Sequence, residues 1–525
     1  MKEFTSVLSV AQPVCLSLFS HVRRLAFVGI AASALVACGG GSGDGSALVP
    51  GGTMTTDPWQ ANTFKPSDTY ANLCEAPRVG RSEITDINFP DKKGTRTDEK
   101  NFLRSWNNET YLWFEEVTDV SPLLASQLPQ AYFDLLKTNM RTESGAFKDN
   151  FHFYEPTADA EAWTAGVTYG YGLNLKVESW EAPRTIKVAY VDSGSSAAEK
   201  NVKRGATIIA IDGINVSNEN INNLVNKLFP VAINAVHEFE IMEPGQSVSR
   251  KVTLESSEIE TDSVSVVKVL EDGANKIGYM QFNTFIPDAQ DKWVTAINTM
   301  NNAGVTDLIL DMRYNGGGYI AVASQAAYMI AGTNTTDKVF YQDIGNSKMP
   351  KEDPWPFLDV GIYGLNNGMD LPSLNLSRVY VLSTSGTCSA SELVVNSLRG
   401  IGVTVYLIGD TTCGKPYGFE PEPNCGTTYY TIQFKAVNAK GFGEYSDGFT
   451  PSSTDNDKDR VMGCMVGDDL DHELGDPQEA LLAAALQLRA TGACPPGRTQ
   501  RQQKTAAEIF KSELVRPESR AIMIR

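Results

Sequence analysis

The chain has 525 residues, 42% of them hydrophobic and 21% charged, with 63 acidic against 45 basic side chains and a formal charge of -18. That length exceeds one ordinary domain and points to two or three. The acidic balance lacks the basic footprint of a nucleic-acid binder, so no nucleic-acid partner is expected.

In chain order, the first signal is Arg23-Arg24 followed by the apolar run LAFVGIAASALVA. The run is short for a membrane span and suits the core of a signal peptide. It ends in Leu35-Val36-Ala37-Cys38 and then GGGSGDGS. Small residues before a cysteine, followed by a Gly/Ser tether, resemble a bacterial lipoprotein signal. The resemblance implies that residues 1–37 are removed and that Cys38 carries the lipid. The protein would then sit in a bacterial cell envelope, anchored to the outer membrane by lipid alone and facing the periplasm or the surface. Residues 38–75 read as the linker beyond that anchor. Six further cysteines (Cys74, Cys388, Cys413, Cys425, Cys464 and Cys494) suit disulfides in an exported protein. Fifteen pairings are open, and Cys413–Cys425 is the closest pair in sequence. Zinc spacing is missing, and only four histidines exist (His21, His152, His237, His472), so no metal or organic cofactor is expected.

Residues 76–160 form a helical region by pattern. EKNFLRSWNNETYLWFEEV carries Phe102, Trp106, Tyr111 and Leu112 near one face, an aromatic stripe expected in the core. A second helix is expected over the residues after Pro122, LLASQLPQAYFDLLKT. Residues 161–259 alternate as strand, strand, short helix, strand, turn, helix, strand. That order resembles a PDZ domain. Gly170-Tyr171-Gly172-Leu173 matches the carboxylate-binding loop, Gly194–Ala198 precedes the short helix, and Asp212-Gly213 follows IIAI as a turn. The resemblance implies capture of peptide C-termini by strand addition, with loop N–H groups on the terminal carboxylate.

Residues 260–495 alternate strands with helices. Continuous apolar strands such as LILDM and VYVLS point to a sheet covered on both faces. Residues 477–493 read as an amphipathic helix entered through Asp476-Pro477. Residues 496–525 form a polar tail.

Three strand ends in this region carry chemistry. Asp311-Met312-Arg313-Tyr314-Asn315-Gly316-Gly317-Gly318 follows one apolar strand, and its glycines permit positive φ and present backbone N–H groups. Ser389 and Glu392 follow the next as S-x-x-E, a capping box by pattern and also a hydroxyl at a helix N-terminus. Lys415 follows a third after Thr-Thr-Cys-Gly. A serine needs a base, and a lysine supplies one only when burial lowers its pKa.

Together, DMRYNGGG, SASE at 389–392 and Gly414-Lys415, downstream of a PDZ-like segment, resemble the carboxyl-terminal processing peptidases, the tail-specific serine proteases. The resemblance covers about residues 97–490. It implies a multidomain α/β (α+β) fold: a helical N-terminal segment, a PDZ-like β-rich domain and a mixed α/β protease core. It implies Ser389 as nucleophile, Lys415 as general base, and Gly317 and Ala390 N–H groups as the oxyanion hole, with Glu392 in support. The substrates would be polypeptides with free or unfolded C-termini, cleaved internally. Two departures stand out. Ser389 and Lys415 are 26 positions apart, one more than is commonest, and Phe419 stands where some members carry a glutamine. Two alternatives share these residues. One is a catalytically inactive lipoprotein that binds peptide tails. The other is a Ser-His variant with His152 as base.

Overall fold

The computed structural model describes residues 59–496, apart from 124–126, 143, 178–181, 231–232 and 457, together with the backbone of 522–524. The expected signal peptide, Cys38, and all of the polar tail except its first residue and 522–524 lie outside the described residues. No helix among the described residues is long and apolar enough to cross a membrane.

The central element is a seven-stranded sheet. Its order is Val264–Asp272, Asn275–Phe282, Asp307–Asp311, Arg378–Ser383, Thr404–Gly409, Arg460–Met465 and Thr450–Ser452. The first two strands are antiparallel and every later pairing is parallel. Both faces are covered. Met280, Leu308, Leu310, Val379, Val381, Val405 and Leu407 pack with helices Ala289–Ala303, Ile320–Ala331 and Ala390–Gly400. The alternate side chains, Ile277, Tyr279, Ile309, Tyr380, Leu382 and Ile408, meet helix Ala480–Thr491. Burial on two faces explains why these strands read as unbroken apolar runs.

A smaller antiparallel sheet runs Arg250–Glu255, Val236–Met242, Thr207–Ile211, Ile186–Val191, Leu173–Val177, so that Leu173–Val177 is its edge strand. It has a core of its own around Leu175, Val188, Ile208 and Phe239. Strands Val167–Gly170 and Ser257–Glu260 pair at the two chain crossings into this unit.

Several expectations are corrected. The helix after Pro122 is confined to Pro129–Phe133. Proline lacks the N–H that a helix interior needs, so Pro129 starts this helix at its first position and cannot lie inside one. The last helix begins at Ala480, capped by the Glu479 carboxylate on Leu482 N–H, three residues beyond Pro477. The disulfides are Cys74–Cys425, Cys388–Cys413 and Cys464–Cys494. Cys413 and Cys425 are not partners. Proximity in sequence is a poor guide where Cys74, 351 positions away, lies nearer in space. The aromatic stripe behaves as expected, with Phe102, Trp106 and Tyr111 buried.

Candidate active site

Strands Asp307–Asp311, Arg378–Ser383 and Thr404–Gly409 are adjacent and parallel, so their carboxyl ends open on one sheet edge. Ligand sites of open α/β sheets form at such an edge. The loops that follow carry Asn315–Gly318, Ser389 and Lys415, and they are stitched together. Asn315 O accepts the Cys388 N–H at 3.0 Å and the Ser391 hydroxyl at 3.0 Å. Thr387 O accepts the Cys413 N–H at 3.1 Å. The Cys388–Cys413 disulfide clamps the residue before Ser389 to the residue two before Lys415. Both sulfurs are thereby removed as thiol nucleophiles.

Ser389 precedes helix Ala390–Gly400 as expected, yet its backbone is not that of an ordinary cap. It stands at φ 59°, ψ -111°, where a Cβ is strained by about 1–3 kcal/mol. Its Oγ is buried and has no hydrogen-bond partner among the described residues. A cap serine would sit in the β region and accept a first-turn N–H. Such an outlier, with an unsatisfied hydroxyl, is characteristic of a functional position.

Glu392 is the hub. Its Oε2 accepts the N–H of Ser389 at 2.9 Å and of Lys415 at 2.8 Å. Its Oε1 accepts the Gly414 N–H at 2.8 Å and the Thr412 hydroxyl at 2.5 Å. The carboxylate is fully buried, and burial raises its pKa while these four donors pull it back down.

Lys415 is buried too. Its Nζ lies 3.9 Å from the centre of the Phe419 ring and 5.0 Å from that of Phe151. Desolvation holds its amine well below the usual lysine range, against the raising influence of Asp149 and Glu392. Phe419 thus fills the position of the missing glutamine with an apolar ring over the amine. The DNFHFYE segment does reach this lysine, but through Phe151. His152 sits in the core, with Nε2 2.9 Å from Phe133 O, Nδ1 3.2 Å from Thr431 Oγ1, and its ring stacked on Phe133. Burial lowers its pKa. None of these contacts is with Ser389, so a base role for His152 finds no geometric support.

The two candidate oxyanion donors differ. Ala390 N–H belongs to the first helical turn, which has no intrahelical acceptor. Gly317 N–H instead donates to Asn315 Oδ1 at 2.9 Å, an engagement that no spacing reveals. Gly318 is required by packing: at φ +141°, a Cβ there would lie 2.4 Å from Phe285 O.

Asp311 and Arg313 carry a buried ion network that sequence reasoning missed. The Arg313 guanidinium bonds Asp311 Oδ2 at 2.8 Å, Glu479 Oε1 at 2.8 Å and Asp468 Oδ1 at 3.0 Å. Asp468 also takes Arg204 at 3.0 Å, Lys176 at 2.9 Å and the Tyr314 hydroxyl at 2.8 Å. Burial opposes the Asp468 charge, yet Lys176, Arg313 and Arg204 hold its pKa far below the usual range. Lys176 and Arg204 belong to the smaller sheet's unit, so this carboxylate fastens that unit to the glycine loop.

The loop Gly170–Leu173 leads into the edge strand Leu173–Val177. Tyr171 O accepts the Ala197 N–H at 2.9 Å and Gly172 O accepts the Asp192 N–H at 2.9 Å. A Cβ on Gly172 would overlap Ser195 at 2.0 Å, so the loop can pack there only with glycine. Tyr171 is buried against Phe239.

Residues 276–432 match peptidase family S41. Over 252 residues the chain is 24% identical to the carboxyl-terminal-processing protease of Picosynechococcus, covering 48% of this chain and 55% of that one. It is 23% identical over 349 residues to the carboxy-terminal processing protease CtpA of Bacillus subtilis, covering 66% of this chain and 69% of that one. The chain spans about half the length of the Picosynechococcus relative. A Bacteroides fragilis structure assigned to the S41 proteases shares the fold at a TM-score of 0.58 and 20% identity, covering 78% of this chain and 99% of that one.

Proposed function

We propose that this chain, whose residues 276–432 match peptidase family S41, is a serine endopeptidase with Ser389 as nucleophile and Lys415 as general base. One observation carries the reading. A partnerless, strained Ser389 hydroxyl and a buried, pKa-depressed Lys415 amine extend from backbones tied to one carboxylate. Once Lys415 Nζ comes within hydrogen-bond reach of Ser389 Oγ, a contact not made in the resting structure, the neutral amine takes the Oγ proton as Oγ bonds to the substrate carbonyl carbon. The carbonyl oxygen becomes an oxyanion held by the Ala390 N–H. Gly317 N–H adds to that hole when it exchanges Asn315 Oδ1 for the substrate oxygen. Collapse breaks the C–N bond, and the Lys415 ammonium returns the proton to the leaving amine. Water then gives a proton to the same neutral amine and attacks the acyl carbon; the C–Oγ bond breaks and the Lys415 ammonium returns the proton to Ser389 Oγ.

The test is Ser389→Ala in the full chain with denatured casein as substrate. Cleavage is abolished while the unfolding transition stays cooperative; fragments at the parent rate from this variant would end the assignment.

The smaller sheet is proposed to act as a PDZ-like receptor for C-terminal peptide segments. Support comes from its edge strand Leu173–Val177 and the glycine-bearing loop Gly170–Leu173 before it. A peptide acid should bind tighter than its C-terminal amide; equal affinity would remove the carboxylate role. A lipid on Cys38, with residence in the cell envelope, is proposed from the sequence signal alone. Incorporation of a palmitate analogue, lost in Cys38→Ser, checks it.

A further inference from the structure

Strand Gly317–Tyr319 has two edges. Phe285 takes one, donating its N–H to Gly317 O at 3.0 Å and accepting the Tyr319 N–H at 2.7 Å. The other edge is paired, in parallel, with the chain's own strand Ile522–Ile524: Gly317 lies opposite Ile522, Gly318 opposite Met523 and Tyr319 opposite Ile524. The same three residues also lie against Tyr417–Gly418, which begins two positions after Lys415. Ile522–Ile524 therefore lies against both the strand that bears the glycine loop and the short strand that follows Lys415.

We propose that this outer edge of Gly317–Tyr319 is a strand-addition site for extended, apolar peptide segments, and that Ile522–Ile524 is its intramolecular occupant. Main-chain hydrogen bonds to a sheet edge supply affinity with little demand on sequence, which suits a site that takes unfolded chains. The occupant, Ile-Met-Ile, is apolar and strand-forming. The consequence for turnover rests on the peptidase reading above. A substrate and Ile522–Ile524 then compete for one edge, and the apparent substrate affinity falls by the fraction of molecules in which the edge is vacant.

Ile524→Pro in the full chain tests this: Phe285 engages Gly317 O and Tyr319 N–H, so the register sets the Ile524 N–H against Gly318 O, and proline lacks that donor and fixes φ. A fluorescently labelled synthetic peptide of residues 516–525, RPESRAIMIR, is titrated into Ser389→Ala and into Ser389→Ala/Ile524→Pro. The double variant should bind it about tenfold more tightly, as expected when a resident strand occupies about nine-tenths of molecules. Hydrogen exchange over residues 316–320 should be faster in the double variant and slow again on adding the peptide. Equal peptide affinity in the two proteins, or exchange unmoved by both changes, overturns the proposal. With Ser389 intact, Ile524→Pro should lower KM several-fold at unchanged kcat. Peptide binding as expected with no hydrolysis by any variant would leave the strand site standing and sink the Ser389–Lys415 reading. Hydrolysis with an unchanged KM would do the reverse.

Discussion

Ser389 and Lys415, 26 positions apart, are joined through one buried oxygen: Glu392 Oε2 accepts the N–H of the first at 2.9 Å and of the second at 2.8 Å. The proposed nucleophile and base are therefore held by the same buried carboxylate at the start of a helix. Placement of this kind fixes reacting groups to within a fraction of an ångström, and errors of about 1 Å can reduce rate a hundredfold.

Glu392→Gln replaces one acceptor oxygen by an amide NH2, a donor facing N–H donors. Loss of charge-assisted hydrogen bonds on buried donors should reduce stability by about 2–4 kcal/mol. The value of kcat should drop about 10–100-fold, as misplacement demands, with KM changed far less. Urea unfolding and steady-state kinetics check both; parent kinetics in this variant would deny Glu392 its positioning role.

Strain at Ser389 predicts an inversion of the usual glycine penalty. Ser389→Gly relieves the positive φ, whereas Ser389→Ala keeps the Cβ. Both should be inactive, but Ser389→Gly should be the more stable by about 1 kcal/mol. Side-by-side denaturant midpoints decide it, and an alanine variant at least as stable as the glycine one would contradict the strain.

The depressed Lys415 pKa sets the pH dependence. Only the neutral amine accepts a proton, so kcat/KM should rise with pH through a value well below 10.5, the ordinary lysine value. Between the folded and unfolded pKa values the unfolded lysine binds the extra proton, so stability rises with pH across that window. Lys415→Met should abolish activity yet stabilise the protein at neutral pH, by about 1.4 kcal/mol for each unit of pKa depression. That gain should shrink as pH approaches 10.5. Thermal unfolding at several pH values tests the trend.

Phe419 supplies part of that environment. Removing its ring admits water and also removes an attraction for the ammonium of about 0.5–2 kcal/mol. Desolvation is the larger influence on Lys415, so in Phe419→Ala the rising, acid-side limb of kcat/KM should move to higher pH. A shift toward lower pH would mean that the ring acts mainly by binding the cation.

Asp468→Asn leaves Arg204 and Arg313, both buried, without a shared counter-charge. Breaking such a network costs about 3–5 kcal/mol. Calorimetry should show a large loss of Tm, and the smaller sheet should become more susceptible to proteolysis than the central one.

Much of this was legible locally. Unbroken apolar runs in LILDM and VYVLS marked strands buried on both faces, and apolar periodicity marked the helices that cover them. Ser389, Lys415 and the glycine loop each followed such a strand, and a parallel sheet opens consecutive strand ends on one edge. Other features waited for the tertiary structure. His152 and Phe151 are neighbours in the chain, yet only the phenylalanine ring meets Lys415. Cys74 pairs with Cys425 across 351 positions. Arg313 finds Glu479 and Asp468, Gly317 N–H turns to Asn315, and Ile522–Ile524 comes back to the glycine strand. The reason is physical. A repeat of 2.0 or 3.6 residues reports which face of an element is apolar, because that depends on neighbours a few positions away. Which distant segments meet, and which buried charge answers another, depends on packing the whole chain at once.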